Sequence, residues 1–127
     1  MSNKNAIFEN LIPNEMGCYD IKPEELKKLF SDCHVVDVRR PDEWVSELGH
    51  ISGVQFATLE TNFVKFIDAI PSAQKNDTWV FVCRSGARSA KAAAIAIQKG
   101  IPMAHNMMGG MIQWNNLGFP VALKVGD

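Results

Sequence analysis

Cys83, Arg84, Ser85, Gly86, Ala87, Arg88 and Ser89 place one nucleophile, two permanent cations and a conformationally free glycine in a single short stretch. A thiol reacts as its thiolate, and the pKa of a free cysteine, about 8.5, falls to roughly 3.5–7.5 beside a helix N-terminus or a cation. Arginine's rigid fork suits bidentate pairing with oxyanions. Together these residues point to nucleophilic attack by a reachable Cys83 sulfur on a substrate whose anionic part Arg84 and Arg88 would hold.

Such a sulfur must be held by rigid elements. Residues 78–82 (Thr-Trp-Val-Phe-Val) are β-branched or aromatic and read as a buried strand. Residues 90–97 are alanine and isoleucine except for Lys91, and with Gly100 as the stop they read as a helix packed by small side chains against a sheet. A cysteine between the two lies where backbone N–H groups converge and the helix dipole is positive. A buried cysteine that merely ends a strand needs no such loop.

Strand and helix signals alternate along the rest of the chain. Tyr19 to Ile21 reads as a short strand, followed by a helix opened by Pro23, Glu24 and Glu25, with Leu26, Leu29 and Phe30 as its buried face. Lys22 stands where a Ser or Thr cap would be expected. Residues 33–38 read as the second strand and Pro41 begins a short helix that Gly49 ends. A third strand over 54–57 follows, then a helix marked by Phe63, Phe66, Ile67 and Ile70 that Pro71 terminates. Residues 103–107 give a last strand, Gly109 and Gly110 a break, and a short helix runs through Trp114. This alternation predicts an α/β domain with a mainly parallel sheet covered on both faces, its functional groups gathered at the carboxyl ends of the strands.

The chain has 127 residues, 46% apolar and 21% charged, with a formal net charge of -1. That size suits one domain over residues 18–127, with residues 1–17 as a loosely ordered extension whose Ile7, Phe8, Leu11 and Ile12 offer docking points. The charge balance argues against nucleic acid or an anionic membrane as partner. No apolar run of signal-peptide or membrane-span length is present. Cys18, Cys33 and Cys83 are an odd number without metal-ligand spacing, so neither a disulfide framework nor a metal is expected, and a reducing cytoplasmic setting fits. Nine of the thirteen basic residues are scattered lysines, whereas the four arginines fall as Arg39 and Arg40 after the second strand and Arg84 and Arg88 after the central one. Any anion site is therefore local to that edge of the sheet.

Three separated segments resemble one family, the rhodanese sulfurtransferases. Residues 83–89 resemble its active-site loop. Val36 to Arg39, Glu43, Trp44 and residues 49–54 resemble its first signature, and Gly109, Gly110, Trp114 and residues 118–121 its second. The resemblance covers residues 18–121 and implies a rhodanese-like α/β fold with a five-stranded, mainly parallel sheet and helices on both faces. It also implies a catalytic cysteine, Cys83, that carries sulfane sulfur as a persulfide, with the amides of Arg84, Ser85, Gly86, Ala87 and Arg88 around the sulfur. Basic side chains at Arg84 and Arg88 match members that use thiosulfate; members that use mercaptopyruvate tend to have a small residue where Arg84 stands. No cofactor is implied. The expected partners are a small sulfur donor, a thiol or cyanide acceptor, and, on a second reading, a sulfur-relay protein that delivers persulfide sulfur. A cysteine phosphatase or arsenate reductase would need five residues between cysteine and arginine, whereas four separate Cys83 from Arg88.

Other candidates carry two readings each. Asp37 either orients the loop or pairs with Arg39, and Arg39 pairs with Asp37, Glu43 or a carbonyl. Ser89 either donates its hydroxyl to the persulfide or satisfies a first-turn amide. His50 reads as packed and hydrogen-bonded, His34 and His105 as strand residues, and Cys18 and Cys33 as inert. Met103, Met107, Met108 and Met111 fill the core beside the last strand or rim the Cys83 mouth for a partner.

Overall fold

The computed structural model describes residues 11–125; the docking points expected at Ile7 and Phe8 lie outside them. Five strands form one sheet: β1 (Tyr19–Ile21), β2 (His34–Asp37), β3 (Gln55–Phe56), β4 (Trp79–Val82) and β5 (Ala104–Met107). They are ordered β1-β5-β4-β2-β3, and every pairing is parallel. Four α-helices lie in the connections, α1 (Pro23–Leu29), α2 (Pro41–Trp44), α3 (Phe63–Asp68) and α4 (Ala87–Gln98), and α5 (Gly110–Asn116) follows β5. Among the described residues no helix is long and apolar enough to cross a membrane.

β4 is central and all four of its residues are buried, as expected for a strand covered on both faces. Its side chains alternate. Trp79 and Phe81 join the core beneath α3 and α4, with Phe63, Ile67, Ala92, Ala93 and Ala96, whereas Val80 and Val82 join Leu26, Leu29, Met107, Met111 and Trp114 beneath α1 and α5. The alanines of α4 bring helix and sheet backbones close together. The missing cap of α1 is offset from the other side, since the Lys22 N–H donates to Glu25 Oε1 at 3.0 Å.

Several elements are shorter than their sequence patterns. α2 is one turn ending at Trp44 and does not reach Gly49, because His50 pairs antiparallel with Ala122 and draws that segment toward the C-terminal tail. β3 keeps only Gln55 and Phe56, which are an edge partner for the end of β2. α4 is longer, beginning three residues before Ala90.

The closeness of α4 gives a stability test. Ala93→Leu adds volume where the parent residue is wholly buried, and overpacking of this kind costs about 1–3 kcal/mol. Urea unfolding should show a lower midpoint with little change in slope.

Candidate active site

Strand alternation places Cys83, one residue beyond β4, on the same face as Trp79 and Phe81, so its side chain lies beneath the start of α4. Arg84, Ser85 and Gly86 alone make the turn. Gly86 adopts φ +105°, a left-handed conformation open chiefly to glycine, and its N–H donates to Cys83 Sγ at 3.0 Å. Ala87, Arg88 and Ser89 are the first turn of α4 and not part of the loop, because Gly86 absorbs the whole reversal. Among the described residues Gly86 is the one backbone donor within hydrogen-bond distance of the sulfur, fewer than the ring of amides that the resemblance implies.

A loop that aims an amide inward must turn carbonyls outward, and α5 receives them. Met111 N–H donates to Cys83 O at 2.9 Å and Ile112 N–H to Arg84 O at 3.0 Å. Gly110 makes that approach possible: a Cβ there would lie 2.6 Å from Cys83 O and closer still to the Arg84 carbonyl. Gly110, the first residue of α5, is thus a packing requirement of the cysteine loop.

Ser89 is fully buried, with its hydroxyl 3.2 Å from Cys83 Sγ and 2.5 Å from Asn106 Oδ1. Cys83 itself is 1% exposed, which corrects the expectation of a freely reachable sulfur. The start of α4 and its Ser89 lie over the thiol on one side, and α5 closes the loop from the other. Arg84, Ser85 and Ala87 are exposed around it.

The two loop arginines do different things. Arg88 makes a bidentate pair with Glu43, Nη1 to Oε1 at 2.7 Å and Nη2 to Oε2 at 2.8 Å. That guanidinium, with help from the Arg40 N–H, holds the Glu43 carboxyl down to about 2, and Glu43 in turn pushes Arg88 further up. Arg88 therefore already has an anion. Arg84 is exposed and has no ion pair among the described residues; with Arg40, Glu43 and Glu47 it lines a cleft of about 450 Å³.

Asp37 and Arg39 form a separate, wholly buried unit. Arg39 Nε and Nη2 reach Asp37 Oδ1 and Oδ2 at 2.9 and 2.8 Å, and Nη2 also donates to Gly49 O at 2.7 Å. Arg39 O accepts from Trp44 Nε1 and Thr58 Oγ1. The pair ties the first-signature segment together and leaves the cysteine loop to Glu43.

Glu43 and Asn106 are site residues that sequence reasoning missed. Glu43 entered it as part of the first signature and as a partner for Arg39, and nothing in the sequence links it to a residue 45 positions away. Asn106 could have been found, since a lone amide in the short buried strand Ala-His-Asn-Met demands a polar partner.

The remaining candidates stay outside the site. His50 Nδ1 bonds the Trp44 carbonyl at 2.8 Å, His34 Nε2 pairs with Asp77, and His105 Nδ1 bonds Met103 O. Burial pushes the Cys33 thiol up to about 11, helped by Asp32, and pushes Cys18 up against a lowering contact from Asn14. Cys18 precedes β1; its Sγ lies 3.6 Å from Ala90 O of α4 and accepts from Asn14 Nδ2 at 3.3 Å, and it has no hydrogen bond to Cys83 among the described residues. Met107 and Met111 are core, while Met108 is 43% exposed.

Residues 22–117 match the family model described as the rhodanese-like domain. A sulfurtransferase of Allochromatium vinosum is 43% identical over 110 residues, covering 84% of this chain and 97% of that protein. A probable adenylyltransferase/sulfurtransferase, MoeZ, of Mycobacterium tuberculosis is 29% identical over 97 residues, 74% of this chain; the chain spans only 24% of that protein's length. The crystal structure of a rhodanese-related protein from Thermoplasma volcanium superposes with a TM-score of 0.73 at 24% identity, covering 83% of this chain and 98% of that one.

The Glu43–Arg88 pair makes a pH-dependent contribution to stability. The folded carboxyl titrates near 2 against an ordinary value of 4.5. Its contribution, on the order of 2 kcal/mol, is complete above about pH 4.5 and disappears as pH falls through about 2. Glu43→Gln should therefore unfold at lower urea at pH 7, and its deficit should shrink steadily across that acid window.

Proposed function

Because this chain belongs to the rhodanese-like family, we propose that it is a sulfurtransferase that carries sulfane sulfur on Cys83 as a persulfide, with thiosulfate or a related anion as donor. The observation that carries this reading is the Gly86 N–H held 3.0 Å from Cys83 Sγ by a loop whose carbonyls are tied to α5. A preorganised donor at the position where negative charge rests stabilises that charge without reorganisation.

In the first half-reaction the Cys83 thiolate attacks the outer sulfur of thiosulfate. The bond between its two sulfurs breaks, sulfite leaves with the electron pair, and Cys83 retains a persulfide anion. In the second, a thiolate or cyanide attacks the outer persulfide sulfur, the Cys83–sulfur bond breaks, and the cysteine returns as thiolate. This is covalent catalysis of the ping-pong kind. Arg84, exposed and uncommitted, is the residue proposed to meet the sulfonate; Ser85 and Ala87 are exposed beside it, and Ser89 lies against the sulfur from within. Arg88 contributes through Glu43 to the shape of the mouth more than to anion binding.

That last point favours a second reading. With Arg88 occupied by Glu43 and the thiol 1% exposed, a free dianion finds one uncommitted arginine and almost none of the sulfur. A donor persulfide presented by a partner protein would need less charge recognition, and the sulfurtransferase named above in which this domain is one part of a larger chain is compatible with that use. The proposed setting for either reading is the cytoplasm.

Intact mass spectrometry after incubation with thiosulfate tests the reaction class. The expected result is a gain of one sulfur atom, removed by cyanide and absent from Cys83→Ala. No gain from thiosulfate or from a small persulfide would overturn the assignment. Saturation by thiosulfate only at unphysiological concentration, beside rapid loading from a protein persulfide, selects the carrier reading.

A further inference from the structure

Ser89 has one hydroxyl proton and two neighbours that want it. Its oxygen lies 2.5 Å from Asn106 Oδ1 and 3.2 Å from Cys83 Sγ. Two oxygens at that separation need a proton between them. The orientation of the Asn106 amide is set from beyond: Nδ2 donates to Asp20 Oδ1 at 3.3 Å, and the same carboxylate oxygen accepts from Asn14 Nδ2 at 2.9 Å. Flipping the amide would turn its oxygen onto a carboxylate. Asn106 therefore presents an acceptor to Ser89, and Ser89 presents a lone pair to the sulfur.

Only one protonation state of Cys83 satisfies that arrangement. A neutral thiol donates S–H to Ser89 Oγ while Ser89 donates to Asn106. When Cys83 loses its proton, Ser89 must rotate its O–H to the sulfur, and Asn106 Oδ1 is then left facing an oxygen lone pair in a buried place. We infer that Asn106 is a positioning residue for Cys83, which by competing for the Ser89 proton favours the thiol at rest and is overridden when the sulfur becomes an anion. The inference rests on the proposal that Cys83 is the reacting sulfur, but it concerns the ionisation of that sulfur and is read without any sulfur transfer.

The readout is the ultraviolet absorbance of the thiolate across pH, taken as the difference between each chain and its Cys83→Ala counterpart. Asn106→Leu keeps the branched shape of the side chain and removes the acceptor, so the Ser89 proton is free for the thiolate. The Cys83 midpoint should fall by about one pH unit, the tenfold effect of one hydrogen bond. In a Ser89→Ala background the same substitution should shift it little. Asp20→Asn, at an exposed position, frees the amide to turn its N–H toward Ser89 and should also lower the midpoint; this shift, too, should shrink without Ser89. It serves should the core substitution unfold the chain.

The other charges near the sulfur are Arg84, next to it in the chain, and Arg88, on which Glu43 and Glu60 act. They are common to all these chains and cancel in the comparison. A midpoint that stays or rises, or a fall of equal size with and without Ser89, would overturn the assignment. Failure of the thiosulfate mass gain with these shifts intact would overturn the sulfurtransferase reading instead.

Discussion

A short loop cannot aim a peptide N–H at a central atom without turning carbonyls away from it, and carbonyls turned away inside a protein need donors. Here the donors are the N–H groups of Met111 and Ile112 in the first turn of α5, which a helix leaves without intrahelical partners. One set of unsatisfied groups thus completes the other. The docking requires the two backbones to meet with no side chain between them, which is what Gly110 allows. The order of strands follows the same logic, since β4 and β5 must be neighbours for their C-terminal ends to deliver the loop and α5 to one place.

The charges of the site are arranged in closed pairs. Arg39 is sealed against Asp37 in full burial, while Arg88 is paired with Glu43 in a half-buried place that Arg40 also approaches. Removing one partner from a buried pair leaves an uncompensated charge, so such pairs hold segments in register more strongly than they add net stability. The first pair fixes the turn from β2 into α2; the second fixes α2 to α4, across the mouth. Arg84 is left over. In a chain with a formal charge of -1, selectivity for an anion then depends on one exposed guanidinium and the local field of a helix start.

The alternating α/β order, the central strand, the cysteine at its end and the small-residue helix behind it were all legible, because each is written in local periodicity and in the positions of glycine and proline. The strand order β1-β5-β4-β2-β3 was not read from those patterns, which carry no pairing between distant segments. The site divides in the same way. Cys83, Gly86 and Ser89 sit together because they are close in sequence. Glu43 and Asn106 reach them only through the fold, one from α2 and one from β5. The burial of Cys83 was not legible for a related reason: a polar stretch after a strand reads alike whether it stays loop or turns at once into helix, and Gly86 turns the chain so sharply that Ala87 to Ser89 become helix and cover the thiol.

The burial of that thiol is consistent with its proposed work. A persulfide places the reactive sulfur one S–S bond, about 2.0 Å, beyond the cysteine's own. Only the outer atom need meet an acceptor, and it would advance from beneath Ser89 toward the exposed rim of Arg84, Ser85 and Ala87. The inner sulfur stays against the Gly86 amide, shielded from the oxidants that carry an exposed thiolate irreversibly to sulfinic and sulfonic acids. A flush, open cysteine would expose both atoms and lose that distinction. On this reading the enclosure acts differently in the two half-reactions: the resting thiol meets only a donor whose terminal sulfur can be brought in to it, whereas the loaded sulfur is offered one bond further out to the acceptor.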